Sequence, residues 1–158
     1  MEIRMAIEND SKDLSILKKK IWETTYRGIY DDEIIDNYDY YKREEKFKRL
    51  ILDNTQEVYV CLIDKKIVGY MILGESLHER LEGYDLTIND LGVLSEYQGM
   101  GIGKKFVEIA KSKKQKLFNC CNYYNDNAKK FYKKMGGTII KTEIKETKAE
   151  SQVYYVYD

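Results

Sequence analysis

Three glycines at alternate positions, Gly99, Gly101 and Gly103, close the segment Leu91-Gly92-Val93-Leu94-Ser95-Glu96-Tyr97-Gln98-Gly99-Met100-Gly101-Ile102-Gly103. An apolar run leads into them, and Lys104, Lys105, Phe106, Val107, Glu108, Ile109 and Ala110 follow at helical spacing. The pattern predicts a strand, a glycine turn and a helix N-terminus in series. The first N–H groups of such a helix have no carbonyl partner, and the helix dipole adds positive potential there. Together they suit an anion, most naturally a phosphate. Glycine lets the backbone turn and lets a ligand approach without a Cβ in the way.

Two common phosphate loops fail on spacing. A P-loop needs four residues between its glycines and a hydroxyl residue after the lysine. Here three residues separate Gly99 from Gly103, and Lys104 is followed by Lys105. A dinucleotide fingerprint needs its third glycine one place later and an acid about 20 residues on, where Phe118–Cys121 offers none.

A third pattern fits. Gln98-Gly99-Met100-Gly101-Ile102-Gly103 resembles the acetyl-CoA pyrophosphate loop of the GNAT N-acetyltransferases, and Leu91–Tyr97 looks like that family's fourth strand and its exit. Further on, Asn125-Asp126-Asn127-Ala128-Lys129-Lys130-Phe131-Tyr132-Lys133-Lys134-Met135-Gly136 is similar to its second signature. The resemblance implies acetyl transfer from acetyl-CoA to a primary amine by direct attack in a ternary complex, with no metal. It assigns the coenzyme to Leu91, Gly92, Val93, Gln98, Gly99, Met100, Gly101, Ile102, Gly103, Lys104, Asn125 and Tyr132. Tyr132 matches the family's general acid, since a phenol near pKa 10 stays protonated at neutral pH. Asn125 also reads as a helix N-cap. The stretch Trp22–Tyr30 looks like the segment that lines the acceptor pocket in many bacterial members, which makes Trp22, Tyr26 and Tyr30 acceptor-site candidates; core packing is the competing explanation.

The base is where the sequence departs from the family. Many members carry a glutamate six residues before Val93; Thr87 stands there. Asp85 lies on the same strand face about 6.6 Å away, at ~3.3 Å per residue. Asp90 falls on the opposite face unless a bulge re-aims it. Glu75, His78, Glu79, Glu82 and a relayed water stay open as alternatives. This gap is the one support for another reading, a non-catalytic GNAT-fold acyl-CoA-binding or regulatory module.

The elements that must position these residues follow from periodicity. Strands are expected at Glu2–Ile7, Glu57–Ile63, Ile67–Leu73, Asp85–Leu94, Lys116–Asn122, Thr138–Lys145 and Gln152–Tyr157. Helices are expected over Ser11–Thr25, Asp31–Asn37, Tyr41–Asp53, the segment after the glycines to Lys114, and Asp126–Met135. The order β-α-α-β-β-β-α-β-α-β-β indicates an α/β (α+β) fold: a mixed, mostly antiparallel sheet of about seven strands flanked by four or so helices, in one domain over residues 1–158. The lysine runs Lys18–Lys20 and Lys111–Lys116 read as solvated helix faces.

Composition narrows the function class. Lys+Arg and Asp+Glu are both 27, so the formal net charge is zero, which argues against general nucleic-acid binding. No apolar run is long enough to span a bilayer and no signal segment precedes the first strand, so a cytoplasmic protein without membrane contact is expected. Cys61, Cys120 and Cys121 lack metal-ligand spacing and read as buried thiols in a reducing compartment. The acceptor is left open among polyamine, amino sugar, antibiotic, small amine and protein N-terminus, as is the choice between monomer and homodimer.

Overall fold

The computed structural model describes residues 1–158. Short apolar-rich segments pair around one sheet. Glu2–Met5 (β1) lies beside Gln56–Ile63 (β2), which forms a hairpin with Lys66–Gly74 (β3). Asp64 and Lys65 turn that hairpin with φ of 51° and 64°, the left-handed pair that matches strand twist. Leu86–Val93 (β4), Leu117–Asn122 (β5), Thr138–Glu143 (β6) and Gln152–Val156 (β7) complete the order β1-β2-β3-β4-β5-β7-β6. Every pairing is antiparallel except β4 with β5.

Ser11–Thr25 (α1), Asp32–Asp36 (α2) and Tyr40–Leu52 (α3) connect β1 to β2; Ile102–Ser112 (α4) and Asp126–Lys134 (α5) follow β4 and β5. α2 is the short helix expected over Asp31–Asn37, standing as its own element, so the chain has five helices where the expected order counts four. The first strand ends at Met5, two residues early, because Glu8–Asp10 winds into a 3₁₀ turn held by Arg4, whose guanidinium donates to Asp10 at 2.7 Å.

The sheet is covered on both sides. Tyr70 and Gly92 are cross-strand partners, and a Cβ on Gly92 would meet Ile21 of α1 at 2.7 Å. Their neighbours Gly69 and Val93 are also partners, and a Cβ on Gly69 would meet Ile102 of α4 at 3.3 Å. Successive residues point to opposite faces, so α1 and α3 cover one face and α4 the other. Leu14, Leu17, Ile21, Phe47 and Leu50 pack from the first side; Ile102, Phe106, Val107 and Ala110 pack from the second. No helix is long and apolar enough to cross a membrane.

Two departures from regular pairing mark the middle of the sheet. The β3–β4 register runs from Ile72↔Asp90 to Leu73↔Ile88, leaving Asn89 as an extra residue. Such a bulge changes which face later side chains address. The β4–β5 pairing stops after Ile88↔Asn119, and β5 continues to Asn122 paired only with β7.

Candidate functional site

Where β4 and β5 part, the sheet opens into a slot. The β5-facing edge of Asn89–Val93 has no strand partner there, while Leu91, Gly92 and Val93 stay paired with Met71, Tyr70 and Gly69. Bare backbone donors and acceptors require partners. An amide-bearing chain laid against this edge would supply them.

The glycine turn lies beyond the end of β4. Gly99 and Gly101 have φ of 80° and 86°, and a Cβ at either would meet nothing within 4 Å. Their role is therefore conformational, and the space above them is open. Gly103 differs: a Cβ there would sit 2.9 Å from the Phe131 ring, so it serves close packing of α4 against α5. Gln98 Nε2 donates to the Val93 carbonyl at 3.1 Å and ties the turn to the strand end. The side chain of Ile102 is core, so only its backbone is available to a ligand, whereas Met100 and Lys104 are exposed. Lys105 N–H is bonded to the Gly101 carbonyl at 3.0 Å; the N–H groups ahead of it begin the helix with no intrahelical acceptor. An anionic pyrophosphate fits this arrangement in charge and in donor type.

α5 brings Asn125 and Tyr132 to the slot. Asn125 Oδ1 accepts from Ala128 N–H at 3.2 Å, so the capping role is made. Gly136, at φ 95°, ends the helix, with Gly137 N–H donating to the Tyr132 carbonyl at 2.9 Å. Tyr132 is buried, and burial, with Tyr157, Cys121 and Asp90 nearby, pushes its phenol well above the ordinary value. It is a protonated phenol throughout the neutral range. Cys121, on the same strand face as Tyr155, is pushed up to about 12, chiefly by burial, which keeps it a thiol rather than a nucleophilic thiolate. Of the three cysteines only Cys61 is fully buried; Cys120 is exposed because adjacent residues of β5 face opposite ways.

The two aspartates separate cleanly. Asp85 precedes β4 and is exposed, at the end of the strand away from the glycine turn. Asp90 follows the bulge, which turns it onto the α1 face with Tyr70 and Gly92; the extra residue Asn89 re-aims it. Its Oδ2 accepts from Lys18 Nζ and from the Tyr70 hydroxyl, each at 2.7 Å. Burial pushes the Asp90 carboxyl up, but Lys18, Tyr70 and Lys46 together outweigh it and hold the group below the ordinary carboxylate value. With 30 % of the side chain exposed, the carboxylate remains reachable from the cleft. Thr87 is buried and its Oγ1 has no hydrogen-bond partner; a neutral hydroxyl takes up no proton at pH 7, so Thr87 does not stand in for the glutamate as a base.

The aromatic candidates form one block. Trp22 meets Tyr30 and Tyr38 edge-on at 5.4 Å and 5.3 Å, and Tyr26 stacks on Tyr30 at 4.5 Å. Trp22 is buried with Ile35 and Tyr38 and belongs to packing. Tyr26 and Tyr30 are half-buried, and the Tyr26 phenol faces Asn125 and Asp90 across the slot.

Lys18, Tyr70 and Asn89 were not singled out by the sequence. Lys18 is not a solvated residue of its run: it is the partner of Asp90. The signal was there, because Lys18 lies four residues from both Leu14 and Trp22, on the stripe that α1 buries. The second run is likewise engaged, with Lys111 over the Tyr157 ring and Lys113 paired to Glu57. Asn89 fixes the bulge to the loop after β3: its Nδ2 donates to Gln56 Oε1 and the Glu75 carbonyl, and its Oδ1 accepts from Leu77 N–H.

Comparison with known proteins agrees with this geometry. The acetyltransferase (GNAT) domain family matches residues 54–136, just over half the chain. An uncharacterised N-acetyltransferase of Archaeoglobus fulgidus is 33% identical over 114 residues, covering 70% of this chain and 71% of that protein. Another, from Pyropia yezoensis, is 23% identical over 147 residues, 85% of this chain and 84% of its own. Among solved structures, the PaiA N-acetyltransferase of Thermoplasma acidophilum in complex with coenzyme A superimposes with a TM-score of 0.78 at 22% identity, over 99% of this chain and 98% of that one. On the strength of the domain match and the archaeal relative, the chain belongs to the GNAT acetyltransferase family.

Proposed function

We propose that this acetyltransferase moves the acetyl group of acetyl-CoA directly to a primary amine held in the same complex. The observation that carries the proposal is the parting of β4 from β5 after Ile88↔Asn119, with Asp90 in the parted stretch and the glycine turn beyond the end of β4. N–H groups of Gly99–Lys104 would hold the pyrophosphate, and the bare edge of Leu91–Val93 would align the pantetheine amides. When bound, acetyl-CoA supplies the activated carbonyl and a thiolate leaving group.

The chain's own residues divide the proton work. An amine must be neutral to attack. Asp90, anionic at neutral pH, accepts the proton from the amine directly or through one water. Its lowered pKa makes it a weak base, so it suits an amine that gives up its proton readily. Tyr132, held protonated by burial, donates to the departing sulfur. A thiol Cys121 supports direct attack over an acetylated cysteine.

Titration calorimetry with acetyl-CoA and coenzyme A, together with an amine-dependent assay of thiol release, tests the proposal. Tyr132→Phe should lower kcat at least tenfold and leave the coenzyme Kd within about twofold. Coenzyme binding with no transfer to any amine would mark a binding module instead; no binding at all would end the proposal.

A further inference from the structure

The cleft on the α1–α3 side carries a charge that the rest of the chain does not. From Asp90 a narrow recess of about 60 Å³ runs between Lys18, Arg43, Lys46 and Phe47. Arg43 and Lys46 also line a broader cleft of about 360 Å³, bounded by Trp22, Tyr38, Lys42 and Arg49. Five basic side chains thus face two carboxylates, Asp39 and Asp90, in a protein whose net charge is zero.

Of these five cations only Lys18 has a carboxylate partner, which leaves Lys42, Arg43, Lys46 and Arg49 unpaired. Asp90 is taken by Lys18, and Asp39 caps α3 by accepting from Lys42 N–H at 3.0 Å. Glu44 and Glu45 both point to Lys48. Arg43 lies over the Trp22 ring at 4.8 Å and the Tyr38 ring at 5.7 Å. No protein acceptor takes an Arg43 N–H, so its guanidinium donors are free for a planar or tetrahedral oxyanion. Repulsion is already felt within the group: burial, Lys18 and Arg43 together hold the Lys46 ammonium below its ordinary value.

Resting on the acetyl-transfer proposal above, we infer that the acceptor is a small amine bearing an anionic group, carboxylate or phosphate, bound by Arg43 and Lys46 with its amine at Asp90. The volumes agree. The recess holds about two waters' worth of space at ~30 Å³ each, enough for an amino group and its carbon. The outer cleft falls in the size range of small-molecule sites, about 300–1,000 Å³. A polyamine would bring further positive charge to an uncompensated basic cleft. Cations around the bound amine favour its neutral form, which eases loss of its proton to Asp90.

The test is steady-state acetyl transfer to matched amines with and without the acid: the common amino acids and β-alanine against propylamine, and phosphoethanolamine and glucosamine 6-phosphate against ethanolamine and glucosamine, with spermidine as polycation. An acid-bearing member should exceed its neutral counterpart at least tenfold in kcat/KM, and which of the two acid series does so identifies the anion. Lys46→Gln should raise KM for that acceptor about three- to tenfold, with KM for acetyl-CoA unchanged, and Arg43→Glu should abolish the preference. Added salt should raise the acceptor KM. Equal or faster transfer to propylamine, ethanolamine, glucosamine or spermidine would overturn the inference and leave acetyl transfer standing. Coenzyme binding without transfer to any of these amines would overturn the inference, and the same result with peptide N-termini and aminated antibiotics would overturn acetyl transfer as well.

Discussion

Asp90→Asn isolates what the carboxylate contributes, because asparagine keeps its shape and loses its charge. In the parent, one oxygen accepts from Lys18 and Tyr70 at 2.7 Å each. Hydrogen bonds to a charged group contribute about 1.5–3 kcal/mol apiece, and breaking a fully buried pair costs about 3–5 kcal/mol. Side-chain exposures of 16% for Lys18 and 30% for Asp90 place this pair between buried and solvated. The loss should be about 2 kcal/mol at pH 7, or roughly 4–8 °C in Tm for a chain of this size. Its pH dependence comes from the lowered carboxyl value. Stabilisation by the charge is full above the unfolded value near 3.8 and disappears as pH falls through the lower folded one. Urea unfolding of parent and variant at pH 7, 5 and 3.5 reads this directly: a full difference at pH 7 and 5 that begins to shrink toward pH 3.5. Equal stability at pH 7, or a difference that does not shrink at all in acid, would refute the argument. The same variant should lose at least tenfold in amine-dependent kcat/KM at neutral pH, with coenzyme binding retained.

Asn125→Ala removes the cap of α5 and should cost about 1 kcal/mol, a Tm drop of roughly 2–4 °C, measured by thermal unfolding. Gly101→Ala forces φ 86° onto a residue with a Cβ but adds no clash; a penalty of about 1–2 kcal/mol should divide between lower stability in denaturant and weaker coenzyme binding in calorimetry. Gly103→Ala acts differently. Its backbone is helical, so any cost comes from Phe131, and since that ring is next to Tyr132 the effect should show in kcat more than in the coenzyme Kd.

The elements and the glycine turn were legible in the sequence because their determinants are local. Alternation along β2 and β3, the apolar stripe Ile102, Phe106, Val107 and Ala110, and the glycines that supply positive φ are all properties of contiguous residues. Asn125 as a cap and Gly136 as a helix end are local in the same sense. The surroundings of Asp90 were not legible, because they are assembled from separate elements. One extra residue at Asn89 decides which face Asp90 addresses, and only the register against β3 reveals it. Lys18 looks like any lysine in a run of three until α1 packs on β4 and sets it against that carboxylate. Arg43 and Lys46 form a cationic cleft only because their acidic neighbours Glu44 and Glu45 turn to Lys48 on the same helix. The sequence by itself determined the strands, the helices and the glycine turn; the tertiary structure alone decided the partner of Asp90 and the charge of the cleft beside it, since pairing register and helix packing bring together residues that no local pattern connects.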